Sequence, residues 1–403
     1  MDKETAEAEK VKDLVLVALP DRALANPTMY FSLSILYLSA VAKKAGYDVE
    51  VLDCRVKEKE LPPARFYGFS CVTPQFNDAK VMAKQVKVGQ TIIGGAHASV
   101  LPTMCSRFFD YVVVGEGEYA LLDIMAGKQG RGIVGGERIR DLNAIPYPDW
   151  EAVPMPFSTA LFPGERYGDG PLAGTLTASR GCPFSCGFCA NTLRSPVSYR
   201  SASNILGELK QLALRGVNYV RFEDDCFTLI PDFDILCLQM RRMGIKYKCH
   251  TRSDLMTPEK AKMMAESGCE ECGLGVESAD NKVLKIMNKR ETVDEHIRAV
   301  KILREVGIRS KTYWVMGMPG ETETTLQLNK QFMKEAHPDK WTISTFTPYP
   351  GCAVYKKPED YNMDIDDHDF SKWWNFCLDG YNHRLHGQSK EEMWQRYQNF
   401  YAF

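Results

Sequence analysis

The chain has 403 residues, with 50 Lys and Arg against 52 Asp and Glu, a net charge of −2 and a sequence pI near 6.4. Hydrophobic residues make up 44% and charged residues 25%, the balance of a globular chain of two or three domains. That balance excludes disordered, collagen-like and coiled-coil architectures and gives no electrostatic case for a dedicated nucleic-acid binder.

The N-terminal stretch MDKETAEAEKVKD is polar and charged, without the apolar core of a secretory signal. The longest apolar-leaning run, Met29 to Ala42, falls short of the roughly 20 residues that cross a bilayer. A cytoplasmic protein without a membrane segment is therefore expected. The 13 cysteines, an odd number in a long chain, point to free thiols and a metal site rather than a disulfide framework.

From the start, Leu14 to Leu19 reads as a strand, followed by a helix near Ser34 to Ala45 that stops at Gly46. Val49 to Leu52, Phe66 to Cys71, Thr91 to Ile93 and Tyr111 to Val114 continue as strands, with a helix near Asn77 to Val86. Strands alternating with helices predict a parallel sheet covered on both faces. Two strands run into glycine, at Gly94-Gly95 and Gly115-Glu116-Gly117, which opens the carboxyl edge of the sheet to a ligand or simply makes tight turns. Residues 126–170, rich in glycine and proline, read as a linker.

A second series then starts, with strands at Leu172 to Thr177, Tyr219 to Phe222, Lys246 to Cys249, Glu271 to Gly275, Arg309 to Trp314 and Lys340 to Phe346. Six βα units predict a partial (β/α)6 barrel of the TIM type over 171–350. Thr257-Pro258 marks one helix start, and Thr292 with Glu295 fits a capping box at another. The aromatic tail 351–403, with Trp373, Trp374, Trp394 and Tyr397, is expected to pack across an open face of the barrel. The fold class is thus α/β throughout: a Rossmann-like doubly wound sheet over 1–125, then the barrel.

The stretch from Thr177 to Cys189 carries the chemistry. Cys182, Cys186 and Cys189 have the spacing C-x3-C-x2-C on the loop leaving the first barrel strand. Three cysteines so close cannot all bridge one another, but they can wrap one metal centre. Held by three thiolates, a four-iron cluster keeps one iron open to a small molecule. Structural zinc, which wants four ligands at paired spacings, and plain core cysteines are the alternatives from spacing alone. The pair Cys269 and Cys272 reads as packing, and Cys352 as a possible substrate-side thiol.

With Phe188 in place, these cysteines resemble the cluster motif C-x3-C-x-(aromatic)-C of the radical SAM superfamily. The resemblance implies a 4Fe-4S cluster whose open iron is chelated by S-adenosylmethionine (SAM). Reductive cleavage of the sulfonium then gives a 5′-deoxyadenosyl radical. It extends over about residues 11–350 and implies SAM contacts from Phe188, Asp224 and Asp225 in Phe222-Glu223-Asp224-Asp225-Cys226-Phe227, Arg252, Glu277 and Ser278, and Gly317 and Pro319 in Gly-Met-Pro-Gly-Glu-Thr. Arg252 is assigned to the SAM carboxylate, and Glu277 to ribose or the ammonium group.

The N-terminal half is similar to the cobalamin-binding domain that precedes the barrel in one large class of that superfamily. The similarity implies cobalamin contacts from Ser70, Thr73, Gly94, Gly95, His97, Gly115 and Glu116. The pattern D-x-H-x-x-G is absent, so no histidine is set to ligate cobalt from below, and the short segments after Asp53 and Val86 trim the pocket for the nucleotide tail. The implied activity is cobalamin-dependent methyl transfer to an unactivated carbon. A cobalamin-free rearrangement, dehydration, cyclisation or sulfur insertion is the alternative, and a zinc-stabilised binding protein the remote one. An electron donor such as flavodoxin or ferredoxin, and a small-molecule or peptide substrate, are the implied partners.

Overall fold

Leu14 to Ala18 are all buried, which places the strand Lys12–Ala18 (β1) in the interior of the first sheet. The computed structural model describes residues 10–22, 31–57, 59–152, 173–192, 195–374 and 380–403. It divides into two units, Met1–Ile139 with Ile145–Met155, and Arg140–Ala144 with Pro156–Phe403.

In the first unit β1 is joined by Val49–Asp53 (β2), Ala64–Ser70 (β3), Gln90–Gly94 (β4), Tyr111–Gly115 (β5) and Gly132–Gly136 (β6). The order is β2-β1-β3-β4-β5-β6, with every pairing parallel. Helices Leu33–Lys44 (α1), Phe76–Ala83 (α2) and Glu118–Met125 (α3) cover it, with Ile35 of α1 and Leu121 and Ile124 of α3 meeting Leu14, Phe66, Ile92 and Val113. Burial on both faces is what a parallel sheet requires. The order reverses between β1 and β3, the kind of position at whose carboxyl edge such sheets bind ligands.

β6 lies inside the stretch expected to be a linker. Its sequence, GIVGG, has no apolar alternation to announce a strand, yet Val112↔Ile133 and Gly115↔Gly136 pair in register. Glycine is required sterically: a Cβ on Gly136 would lie 1.9 Å from the carbonyl oxygen of Glu116. The expected start at Leu172, like residues 153–170, lies outside the described residues.

The second unit holds Ala173–Leu176 (β7), Tyr219–Phe222 (β8), Lys246–Thr251 (β9), Cys269–Glu277 (β10), Arg309–Met316 (β11) and Lys340–Thr345 (β12). They form one parallel sheet in sequential order, β12-β11-β10-β9-β8-β7, as six successive βα units should. Both expected helix starts form: Thr257 accepts from the Lys260 amide at 3.3 Å, and Thr292 and Glu295 exchange capping-box bonds. Cys249, Cys269 and Cys272 are buried, in keeping with a packing role.

The tail ends in helix Lys390–Tyr401, whose Phe400 packs edge-on to Trp314 of β11 at 5.1 Å, beside Phe332. This helix therefore lies on the outer, helix-bearing side of the last strands, while Val354, Met363 and Tyr381 of the same tail pack with Val283, Met318 and, in the cysteine loop, Phe188. From this helix Arg396 reaches Glu321, whose buried carboxylate accepts the Gly317 amide at 2.7 Å. Burial pushes the Glu321 carboxyl up to about 7, with the Gly317 and Arg396 bonds opposing. A carboxyl raised on folding holds its proton more tightly in the native state. Stability is thus greatest below the unfolded value and falls as pH rises through the native one. Between about pH 4.5 and 7 the loss is about 3 kcal/mol at the usual conversion. Thermal melts across that range should show the decline in the wild-type chain, and Glu321→Gln should flatten it.

Candidate active site

The neck of the cysteine loop is closed by a short antiparallel pairing, Ser179↔Tyr199 and Arg180↔Ser198. Arg200 reinforces it, its amide donating to the Ala178 carbonyl at 2.9 Å and its Nη1 to the Thr177 carbonyl at 2.9 Å. Residues 181–192 and 195–197 thus hang from the carboxyl end of β7, the edge at which barrel active sites gather. Gly181 takes φ +102°, a left-handed turn that glycine makes without strain.

Cys186 is buried, while Cys182 and Cys189 are partly exposed. The Cys226 thiol, which follows the paired aspartates, hydrogen-bonds Cys182 and holds its pKa below the ordinary thiol value, while Cys226 itself is raised. Burial raises Cys186, with Lys289 and Arg252 opposing. Arg252 Nη1 lies 3.9 Å from Cys186 Sγ, and the guanidinium stacks over Phe184 at 3.8 Å. Among the described residues no three Cys, His, Asp or Glu side chains gather to hold a single metal ion, as mononuclear zinc demands. A cluster asks for a different arrangement, in which each thiolate binds its own iron. Three thiols on one loop, with cations beside the most buried of them, fit that group.

The two aspartates have different surroundings. Asp224 is buried and accepts from the Ala178 amide at 3.1 Å and from the Ser179 hydroxyl, so it anchors the neck of the loop. Burial pushes its carboxyl up to about 6, against the pull of those donors. Asp225 accepts from Asn191 Nδ2 at 2.7 Å and is on the exposed side.

Arg252 pairs with Asp254 through two bonds of 3.0 Å and with Glu291 at 3.3 Å. Glu277 ends β10 after a register shift, with φ +65°, a conformation costly for a non-glycine residue and characteristic of functional sites. Ser278 Oγ accepts from the Asp280 amide at 3.2 Å. Gly317 has φ +88°, and a Cβ there would strike Tyr381 at 2.3 Å; Pro319 beside it is buried. Cys352 caps a short helix, accepting from the Tyr355 amide at 3.3 Å.

Spacing did not point to the segment 287–291. Met287 accepts from the Gly187 amide at 2.6 Å, and Asn288 Nδ2 donates to the Ser185 carbonyl and hydroxyl at 2.9 and 3.0 Å. Lys289 lies over the Phe188 ring at 5.8 Å. Glu291 accepts from the Ser253 and Asp254 amides at 2.7 and 3.1 Å. Asn288 and Arg290 both have positive φ, and asparagine's tolerance of that region was the one local signal. On the barrel strands, His250 Nε2 meets the Tyr313 hydroxyl at 3.0 Å over Gly273, where a Cβ would come within 2.5 Å of His250.

In the first unit, Gly95 and Gly115 take φ +90° and +99°, and their added Cβ atoms would strike neighbouring backbone at 2.8 Å. Gly135 faces open space, so the carboxyl edge of β4 to β6 is bare of side chains at these glycines. Ser70 Oγ bonds Ser34 Oγ at 2.9 Å on the exposed side of that edge. This edge fits a ligand that approaches backbone closely. His97 differs: it is buried, 4.3 Å from the Phe76 ring centroid, with Nδ1 3.2 Å from Thr73 Oγ1, and burial lowers its pKa to about 4. Glu116 is also buried, accepting from the Ile139 amide at 2.5 Å and pairing with Arg138 at 3.3 Å.

A family model for the radical SAM superfamily matches residues 176–332, and one for the B12 binding domain matches residues 27–125. The chain thus carries a radical SAM domain preceded in sequence by a B12-binding domain. An uncharacterized methyltransferase of Pyrococcus horikoshii is 29% identical over 80% of this chain and 77% of its own. The anaerobic magnesium-protoporphyrin IX monomethyl ester cyclase of Cereibacter sphaeroides is 25% identical over 84% of this chain and 61% of its own. The fold is also that of the radical SAM methyltransferase TsrM of Kitasatospora setae, solved with cobalamin and a 4Fe-4S cluster, at TM-score 0.68, 15% identity, and coverage of 96% and 82%.

The two aspartates should respond differently to substitution. Asp224→Asn weakens the anchor of the loop neck and should cost about 1–3 kcal/mol of stability, lowering the thermal midpoint of the full chain. Asp225→Asn, on the exposed side, should leave that midpoint within a degree or so of wild type.

Proposed function

We propose that this protein is a cobalamin-dependent radical SAM methyltransferase acting on an unactivated carbon. The observation that carries the reading is the loop 181–197, with Cys182, Cys186 and Cys189 presented at the carboxyl edge of a six-stranded barrel. When bound, the cluster supplies the electron that cleaves SAM to a carbon-centred radical, and cobalamin supplies the methyl group.

The chain's own residues position these groups and exclude water. Cys182, Cys186 and Cys189 would hold the cluster. Asp225, on the exposed side, would accept from the SAM ammonium, and Glu277, Ser278, Gly317 and Pro319 would shape the remainder of the pocket. Arg252 is already engaged by two carboxylates, and its reach to SAM would share Nη1, which faces Cys186 and also pairs with Glu291. Gly94, Gly95 and Gly115, with Ser70, would seat cobalamin at the sheet edge, while Thr73, His97 and Glu116 would support that edge from inside.

Turnover needs a reductant and a substrate, for which a flavodoxin or ferredoxin and a small molecule or peptide are the proposed classes. Cytoplasmic location is part of this reading; no helix among the described residues is long and apolar enough to cross a membrane. A second reading, a radical SAM cyclisation, is favoured by the likeness to the cyclase over 84% of this chain.

Replacing Cys182, Cys186 and Cys189 together by alanine should abolish both the iron-sulfur absorbance and SAM cleavage under anaerobic reducing conditions. Cleavage of SAM by the triple variant would refute the assignment.

A further inference from the structure

Lys289 is a buried ammonium, with 6% of its side chain exposed. Its Nζ lies 3.4 Å from Glu277 Oε1 and 3.2 Å from Glu291 Oε2. The strand beside it leaves room for this pair only as glycine: a Cβ on Gly275 would sit 2.4 Å from Glu277 Oε1 and 3.0 Å from Lys289 Nζ. The same ammonium lies over Phe188, between Cys186 and Cys189, while Arg252 lies over Phe184 on the other side of Cys186. Both cations converge on one oxygen of Glu291, at 3.2 and 3.3 Å. The segment that delivers Lys289 also binds the loop at Gly187 and Ser185.

Stability does not explain this arrangement. Apolar residues of similar volume commonly replace buried ion pairs without loss, because desolvation offsets the attraction. Charge beside an electron-accepting group has a different effect. A cluster that takes up an electron gains one negative charge, and a buried cation nearby favours that state with little screening. Net charge and surroundings are the levers by which a protein sets a cluster's potential.

We propose that Lys289 is a positioning residue that, held between Glu277 and Glu291, seats Phe188 and raises the reduction potential of the cluster on loop 181–197. The inference rests on the cluster assignment and deepens it by naming what tunes the electron source. It requires opposite responses from the two ends of the pair. Lys289→Met removes a positive charge and shifts the cluster's midpoint potential to a more negative value; Glu291→Gln removes a negative charge and shifts it to a more positive one. Lys289→Arg keeps the charge and stays at the wild-type value.

The measurement is an anaerobic redox titration of each iron-loaded, full-length variant, followed by electron paramagnetic resonance of the reduced cluster. A purely structural role would move Lys289→Met and Glu291→Gln in the same direction or not at all. An unshifted Lys289→Met, or a Glu291→Gln shift that is zero or negative, overturns the proposal. If Lys289→Met takes up no iron, Glu291→Gln decides by sign; if neither loads, a Lys289→Arg midpoint displaced from wild type overturns it. Wild-type protein that binds no iron defeats the cluster assignment itself, whereas loaded variants with unshifted midpoints defeat only the role of Lys289.

Discussion

Three thiols within eight residues repel one another once deprotonated, and the surroundings of loop 181–197 answer to that constraint. Cations reach the loop from two separate segments, Arg252 directly after β9 and Lys289 after the helix Asn281–Ile286 that follows β10. A neutral thiol, Cys226, bonds Cys182 from the end of β8. The loop is stitched at its neck by Asp224 and along its length by Met287 and Asn288. The segments that follow β8, β9 and β10 therefore all contribute to one charge problem. Burying so many charges is tolerable because each is paired: Glu291 alone takes two backbone amides and two cations.

The first unit solves a different problem, how to let a ligand meet backbone at the edge of a fully covered parallel sheet. Its answer is glycine at the ends of β4, β5 and β6, with positive φ where the chain turns. Polar groups near that edge divide into two sets. Ser34 and Ser70 stand toward solvent, while Thr73, His97 and Glu116 are buried and bonded within the unit. The buried set therefore supports the edge instead of decorating it.

Strong local periodicity made much of this architecture readable in advance. The six barrel strands, their sequential order, the helix cap at Thr257 and the capping box at Thr292 follow from short-range patterns, and the cysteine spacing marks the loop. β6 was missed because a GIVGG strand owes its place to contacts with Glu116 and Gly115, not to alternating apolar residues. Lys289 and Glu291 were missed for a related reason. A lysine and a glutamate two residues apart look like any solvated pair, and only the fold shows that they are buried against Arg252 and Phe188, far away in sequence. Asp224 and Asp225, adjacent in the chain, looked equivalent, but the turn after β8 sends one inward to Ser179 and the other outward to Asn191.

The most direct test of the account is the amount of cobalt and iron per chain after anaerobic purification from cells supplied with cobalamin. The account predicts about four irons, for one cluster with an open position, together with about one cobalt. Iron without cobalt in a folded chain would contradict the methyl-transfer assignment and leave a radical SAM enzyme of another reaction type, and the absence of both would contradict the account as a whole.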